Sequence, residues 1–162
     1  RLTPIAVPLA TVTVVADSVE RSPLMADFRR RRQTTNGKFL TGAEIKKIGS
    51  QSLASLVRGH IGGFDVVRHP SGIGSAFASR RAAAPKRFER RGGPLNECYS
   101  SVWINGQLRY SFSPTKEEEP PRIEDFDVHH LNGLEFYRGA AETPLEFNVM
   151  TAACGTVVIW MN

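Results

Sequence analysis

The chain has 162 residues, 41% of them hydrophobic and 23% charged, with a formal net charge of +5. That make-up fits one globular domain with a flanking segment. Nothing in the chain spans a bilayer as a helix, because no run approaches the roughly 18 to 20 apolar residues a spanning helix needs.

From the N-terminus, the segment Pro8–Asp17 (PLATVTVVAD) has the β-branched density of a strand and follows Pro4, so it reads as an extended arm. Next, Leu24, Met25 and Phe28 form a short apolar stripe at helical spacing, predicting a helix that stops before Asn36 and Gly37. TGAEIKKIG opens with Thr41 and Glu44 at capping-box spacing and closes at Gly49. A better-marked helix follows, with Ser50 or Ser52 as cap, Leu53, Leu56 and Val57 on one face, and glycines at its end. The segment 64–69 (FDVVRH) reads as a strand. From Pro70 to Glu97 little periodicity survives, which predicts a long mobile loop. CYSSVWING runs into an Asn105–Gly106 turn answered by QLRYSF, a strong hairpin signal because both turn residues tolerate positive φ. After an acidic loop come a helical turn, a strand from Gly133 to Tyr137 and a last strand from Gly155 to Met161. Helices and strands interleaved around one small mixed sheet predict an α+β fold with packed short helices. We expect residues 1–40 to be an arm with a short basic helix and residues 41–162 to be the folded domain.

Charge is unevenly spread. Four arginines run from Arg29 to Arg32, and Arg80, Arg81, Lys86, Arg87, Arg90 and Arg91 form a second block, so ten of the 21 cations sit in two short stretches. Such runs usually make solvated faces. The competing reading is a polyanion site on Arg80, Arg81, Lys86 and Arg87, for which lipopolysaccharide is a better match than nucleic acid.

Catalytic and metal chemistry finds no support in the spacing. His129 and His130 are adjacent and point apart, and no histidine lies at i, i+4 from another. Two cysteines without a C-x-x-C pair give no zinc site, and no serine lies in a G-x-S-x-G context. The glycines at 59, 62 and 63 precede a strand, which reverses the dinucleotide-binding order. We therefore expect no enzyme, no cofactor and no metal.

The succession FLTGAEI, SLASLVRGHIGGFDVV, SSVWING, IEDFDVHHLNGLEFYRGAAETPLEF and CGTVVIW resembles the plug domain of TonB-dependent outer-membrane receptors. More narrowly, it is similar to short bacterial plug-like proteins that follow a carboxypeptidase-regulatory-like β-sandwich. The family's Pro-Gly-Val after the plug helix is replaced here by Ile61, Gly62, Gly63 and Phe64. The resemblance implies a plug-like module in the bacterial envelope, on the outer-membrane or periplasmic side, that gates a barrel or binds a ligand or partner. It also implies a TonB-box-like strand at Thr11, Val14 and Ala16 that pairs with a TonB-like protein by strand addition, although a plain linker strand has the same composition. A receptor barrel needs roughly 200 residues in strands alone, so we expect either a plug cut from a receptor or a freestanding periplasmic interaction module. The start at Arg1 without a signal sequence fits a mature piece or fragment. Membrane association would be indirect.

Cys98 and Cys154 each precede a strand of the same expected sheet. In an envelope protein we expect them to be joined, the alternative being two buried free thiols.

Overall fold

The computed structural model describes residues 22–80, 97–111, 118–149 and 152–162. A 3-10 turn at Pro23–Met25 leads into α1 (Ala26–Thr34), followed by β1 (Lys38–Thr41), α2 (Gly42–Ile48), α3 (Leu53–His60), β2 (Phe64–Arg68) and β3 (Ser75–Ser79). The second half holds β4 (Ser101–Ile104), β5 (Gln107–Tyr110), β6 (Leu131–Tyr137) and β7 (Thr156–Met161), with short 3-10 turns between them. The fold is α+β.

Local chemistry sets the helix ends. Thr41 Oγ1 accepts from Glu44 N at 3.2 Å while Glu44 Oε2 accepts from Thr41 N at 2.8 Å, so two otherwise orphaned donors are satisfied reciprocally. Gly49, at φ 70°, closes the same helix in the left-handed region. On α3, Ser52 Oγ caps Ser55 N at 3.2 Å, and Leu53, Leu56 and Val57 are buried along one stripe.

Five strands form one mixed sheet in the order β1-β6-β7-β4-β5, in which only β4 and β7 run parallel. Asn105 (φ 49°) and Gly106 (φ 80°) make the tight turn between β4 and β5. Alternation along the strands then builds two cores. Leu40, Leu134, Phe136, Val157, Ile159 and Val102 face α2, α3 and the β2–β3 hairpin. Phe39, Tyr137, Val158 and Trp160 face the other way, toward Met25 and Phe28 of the N-terminal segment and Phe147. Gly133 permits that second layer: a Cβ there would lie 2.9 Å from Met25 Cε and 3.0 Å from Phe28 Cε2. Cys98 and Cys154 are joined by a disulfide with their α-carbons 5.2 Å apart, at the shared starting end of parallel β4 and β7.

Three expectations need correction or relocation. The stretch from Pro70 to Glu97 contains β3, which pairs antiparallel with β2 from Phe64↔Ser79 to Arg68↔Ser75. Its small side chains hid it, since Ala76 and Ala78 bury closely without the bulk that marks a strand. The run Arg29–Arg32 is not uniformly solvated, because Arg31 is buried. The boundary at residue 40 falls inside β1, whose residues Lys38 to Thr41 pair with β6. The strand Pro8–Asp17 and residues 81–96 lie outside the described residues.

Candidate functional site

The chemically densest site among the described residues lies under α1. One turn beyond Phe28, the apolar stripe delivers Arg31 instead of a hydrophobe to the sheet. Opposite it on β6, between Leu134 and Phe136, stands Glu135. Their side chains are 3% and 0% exposed.

The two charges meet side-on. Arg31 Nε donates to Glu135 Oε2 at 2.9 Å and Nη2 to Oε1 at 2.7 Å. Tyr137 OH donates to Oε2 at 2.5 Å and Trp160 Nε1 to Oε1 at 2.6 Å, so the carboxylate accepts four hydrogen bonds. Arg31 Nη1 reaches outward to Glu146 Oε1 at 2.9 Å. The guanidinium also lies 4.8 Å from the Phe147 ring centre and 5.5 Å from that of Trp160. Trp103 packs on Phe147 with ring centres 5.1 Å apart, and its buried Nε1 has no partner among the described residues.

Electrostatics favour a charged Arg31 and a neutral Tyr137. Burial opposes the charge on Arg31, but the hydrogen bonds and charge of Glu135, with Glu146 behind it, outweigh it and hold the guanidinium above its ordinary range. Burial, then the neighbouring Glu135 charge, pushes the Tyr137 phenol up. With Arg31 held charged and Tyr137 held neutral, the cluster is suited to holding α1 against β6.

The other singled-out residues are scattered. Arg80 pairs loosely with Asp65 at 3.6 Å and donates its backbone N–H to Gly63 O at 3.2 Å, while Arg81, Lys86 and Arg87 lie outside the described residues. Thr11, Val14 and Ala16 lie outside them as well. His69 is buried, bonded through Nδ1 to Ser71 Oγ at 2.7 Å and through Nε2 to Pro120 O at 2.6 Å, so it ties the hairpin loop to the acidic segment. Among the described residues no three His, Cys, Asp or Glu side chains gather closely enough to hold a metal, and no helix is long and apolar enough to cross a membrane.

No protein-family model matches the chain, and no curated protein does. Among solved structures it is similar to the siderophore receptor PirA from Acinetobacter baumannii, at 14% identity over 82% of this chain and 18% of that one, with a TM-score of 0.46. It is also similar to the ferric enterobactin receptor PfeA in complex with BCV-L6, at 16% identity over 78% of this chain and 17% of that one, with a TM-score of 0.47. A PfeA mutant from Pseudomonas aeruginosa gives 16% identity over 93% and 19% of the two chains, with a TM-score of 0.46. The chain thus spans less than a fifth of the length of these receptors.

Proposed function

We propose that this domain is a plug-like module of a TonB-dependent receptor system in the bacterial envelope, whose N-terminal arm offers Thr11, Val14 and Ala16 to a TonB-like partner as an added strand. The supporting observation is that the motifs behind the family resemblance all build one sheet and its cover. FLTGAEI supplies β1 and opens α2, SSVWING supplies β4 and its turn, LEFYRG closes β6, and CGTVVIW leads through β7. Elements separated by up to a hundred residues in sequence are thereby neighbours in space, as one domain requires. The reading assigns contact and gating in association with an outer-membrane β-barrel, and no catalysis. A freestanding module would keep the arm's partner and lack the barrel; reading the gene past Asn162 separates the two, through alternating strands with aromatic girdles or a stop codon.

The test is titration of the chain with the periplasmic domain of a TonB-like protein. Val14→Pro deletes a backbone donor from the arm, so affinity should fall by at least about tenfold while Val14→Ala binds nearly as the parent does. The melting temperature should stay put in both. A Val14→Pro chain that binds as well as the parent would sink the reading, and so would one that melts clearly lower, since the strand would then belong to the domain's own sheet.

A further inference from the structure

A cleft of about 500 Å³ lies along the flank of α1 away from Glu146. Met25 and Phe28 form its apolar floor; Arg29, Arg32 and Gln33 rim one side, and Thr41, Glu44 and Asn132 the other. Its size falls among small recognition pockets, and its lining is mainly apolar with a few convergent polar groups. Arg32 Nη2 lies 2.7 Å from Glu44 Oε1, which neutralises both, whereas Arg29 has no ion-pair partner among the described residues. The rim therefore carries one positive charge in excess. The chemistry it fits is an apolar side chain followed by a carboxylate.

The same chain presents that combination elsewhere. Leu145 is 92% exposed, the most exposed large apolar side chain among the described residues. It stands on a 3-10 turn braced from both sides. Phe147 is buried against Trp103, Glu146 is tied to Arg31, and Thr143 Oγ1 donates to Gly139 O at 2.9 Å. Glu146 keeps 43% of its side chain in solvent, with one oxygen beyond the bond to Arg31. A leucine held out on a fixed turn loses little freedom when it docks.

Geometry forbids the turn from entering its own cleft. At about 100° per residue, Arg31 lies about 60° to one side of Phe28, while Arg32 and Arg29 lie about 40° and 100° to the other. The turn consequently sits over β4 and β7, where Phe147 and Glu146 meet Trp103 and Arg31, and the cleft opens at the β1 edge beside Thr41. Two to three strand spacings, about 10 to 14 Å, separate these positions across the sheet.

We propose that the Leu145–Glu146 turn of one copy docks in the α1 cleft of a second copy, with Leu145 on Met25 and Phe28 and Glu146 facing Arg29. The contact is heterologous, so it joins copies head to tail. It is smaller than a standard interface and acts where copies are crowded, as on a membrane surface. Sedimentation velocity of the full chain from about 10 μM to about 1 mM covers the affinity range such a contact reaches. The parent should associate as concentration rises, and raising salt from about 50 to about 500 mM should weaken association several-fold by screening the Glu146–Arg29 attraction. Leu145→Asp removes the knob and Arg29→Glu spoils the cleft; both sites are exposed, so melts should match the parent. Each variant alone should stay monomeric, yet their equimolar mixture should form one-to-one dimers and nothing larger, because one retains a cleft and the other a turn. A parent that stays monomeric throughout, variants that associate like the parent, or a mixture that stays monomeric would each overturn the proposal and leave the cleft to another occupant.

Discussion

Substituting Arg31 by methionine tests whether the ion pair under α1 governs stability. The change keeps much of the side-chain length and removes both bonds to Glu135, at 2.9 and 2.7 Å, leaving a fully buried carboxylate with only Tyr137 and Trp160 as donors. Glu146 loses its partner too, but its exposed oxygen returns to water at little cost. Breaking a buried pair from one side typically costs about 3 to 5 kcal/mol, against about 0 to 1 for an exposed pair. For a chain of this size, that corresponds to a fall of roughly 6 to 20 °C in melting temperature. Urea unfolding followed by tryptophan fluorescence reads it, because Trp160 is itself a member of the network. Glu135→Gln keeps shape and one carbonyl for Trp160 or Tyr137, so Arg31→Met with Glu135→Gln should recover part of the loss, with a coupling energy of at least about 2 kcal/mol. A cost below about 1 kcal/mol for Arg31→Met, the exposed-pair range, would refute the reasoning. Strict additivity of the two substitutions would refute it as well.

Three further outcomes follow from the same contacts. Burial and the Glu135 charge raise the Tyr137 phenol, so its share of stability is complete below the ordinary tyrosine range of about 10 and is lost as pH rises through that range toward the raised value. Tyr99 and Tyr110 are also raised by burial, so the measurement is the part of the alkaline loss in urea stability that Tyr137→Phe removes. Thr41→Ala should cost about 1 kcal/mol by deleting the α2 cap. Burial acts to raise the Glu44 carboxyl, but bonds from Thr41 and Arg32 hold it below the usual range, so its share of stability is present above that range and fades as pH falls; urea titrations of Glu44→Gln and its parent at neutral and acidic pH should converge at low pH. The disulfide spans a sequence separation of 56, for which the chain-entropy relation gives about 4 kcal/mol. Cys98→Ala with Cys154→Ala, melted beside the oxidised parent, should fall accordingly, and equal melts would show that the cross-link does not constrain the unfolded chain.

Where a single local rule decided the outcome, the sequence was informative. The capping box at Thr41 and Glu44, the stripe on α3 and the Asn105–Gly106 hairpin all sit where those rules put them, while the Cys98–Cys154 bridge was legible only through the envelope resemblance. Most features that needed a partner far along the chain left no local mark. β1 is four residues fused to a helix cap, and it exists because β6, about ninety residues later, pairs with it. β3 holds a single bulky residue, Phe77, between alanines and serines, too little to mark a strand by its pattern. The network under α1 left only faint marks: a glutamate inside an otherwise apolar strand, and an arginine three residues beyond Phe28 on a stripe already counted as apolar. A charge run read as one solvated block hid three different fates, with Arg30 and Arg32 in exposed pairs, Arg31 buried, and Arg29 on the rim of a cleft.

The two faces of the sheet are held by different means, and that difference makes a last prediction. One face is closed by many interchangeable hydrophobes from α2, α3 and the β2–β3 hairpin, and such packing tolerates small slides. Among the described residues the N-terminal segment gives the other face Met25, Phe28 and Arg31, and Arg31 fits Glu135 in one side-on geometry. Sliding α1 by a turn would leave Glu135 buried without its ion partner, so the pair fixes where the helix sits on the sheet. The hypothesis is that the pair contributes specificity more than net stability. The Arg31→Met, Glu135→Gln chain tests this by amide hydrogen exchange at matched global stability, set by adding urea to the parent. Amides of α1 should exchange at least about tenfold faster than in the parent while those of α3 are unchanged, as expected for one element opening locally. Equal protection of α1 in the two proteins would show that Met25 and Phe28 alone set its register.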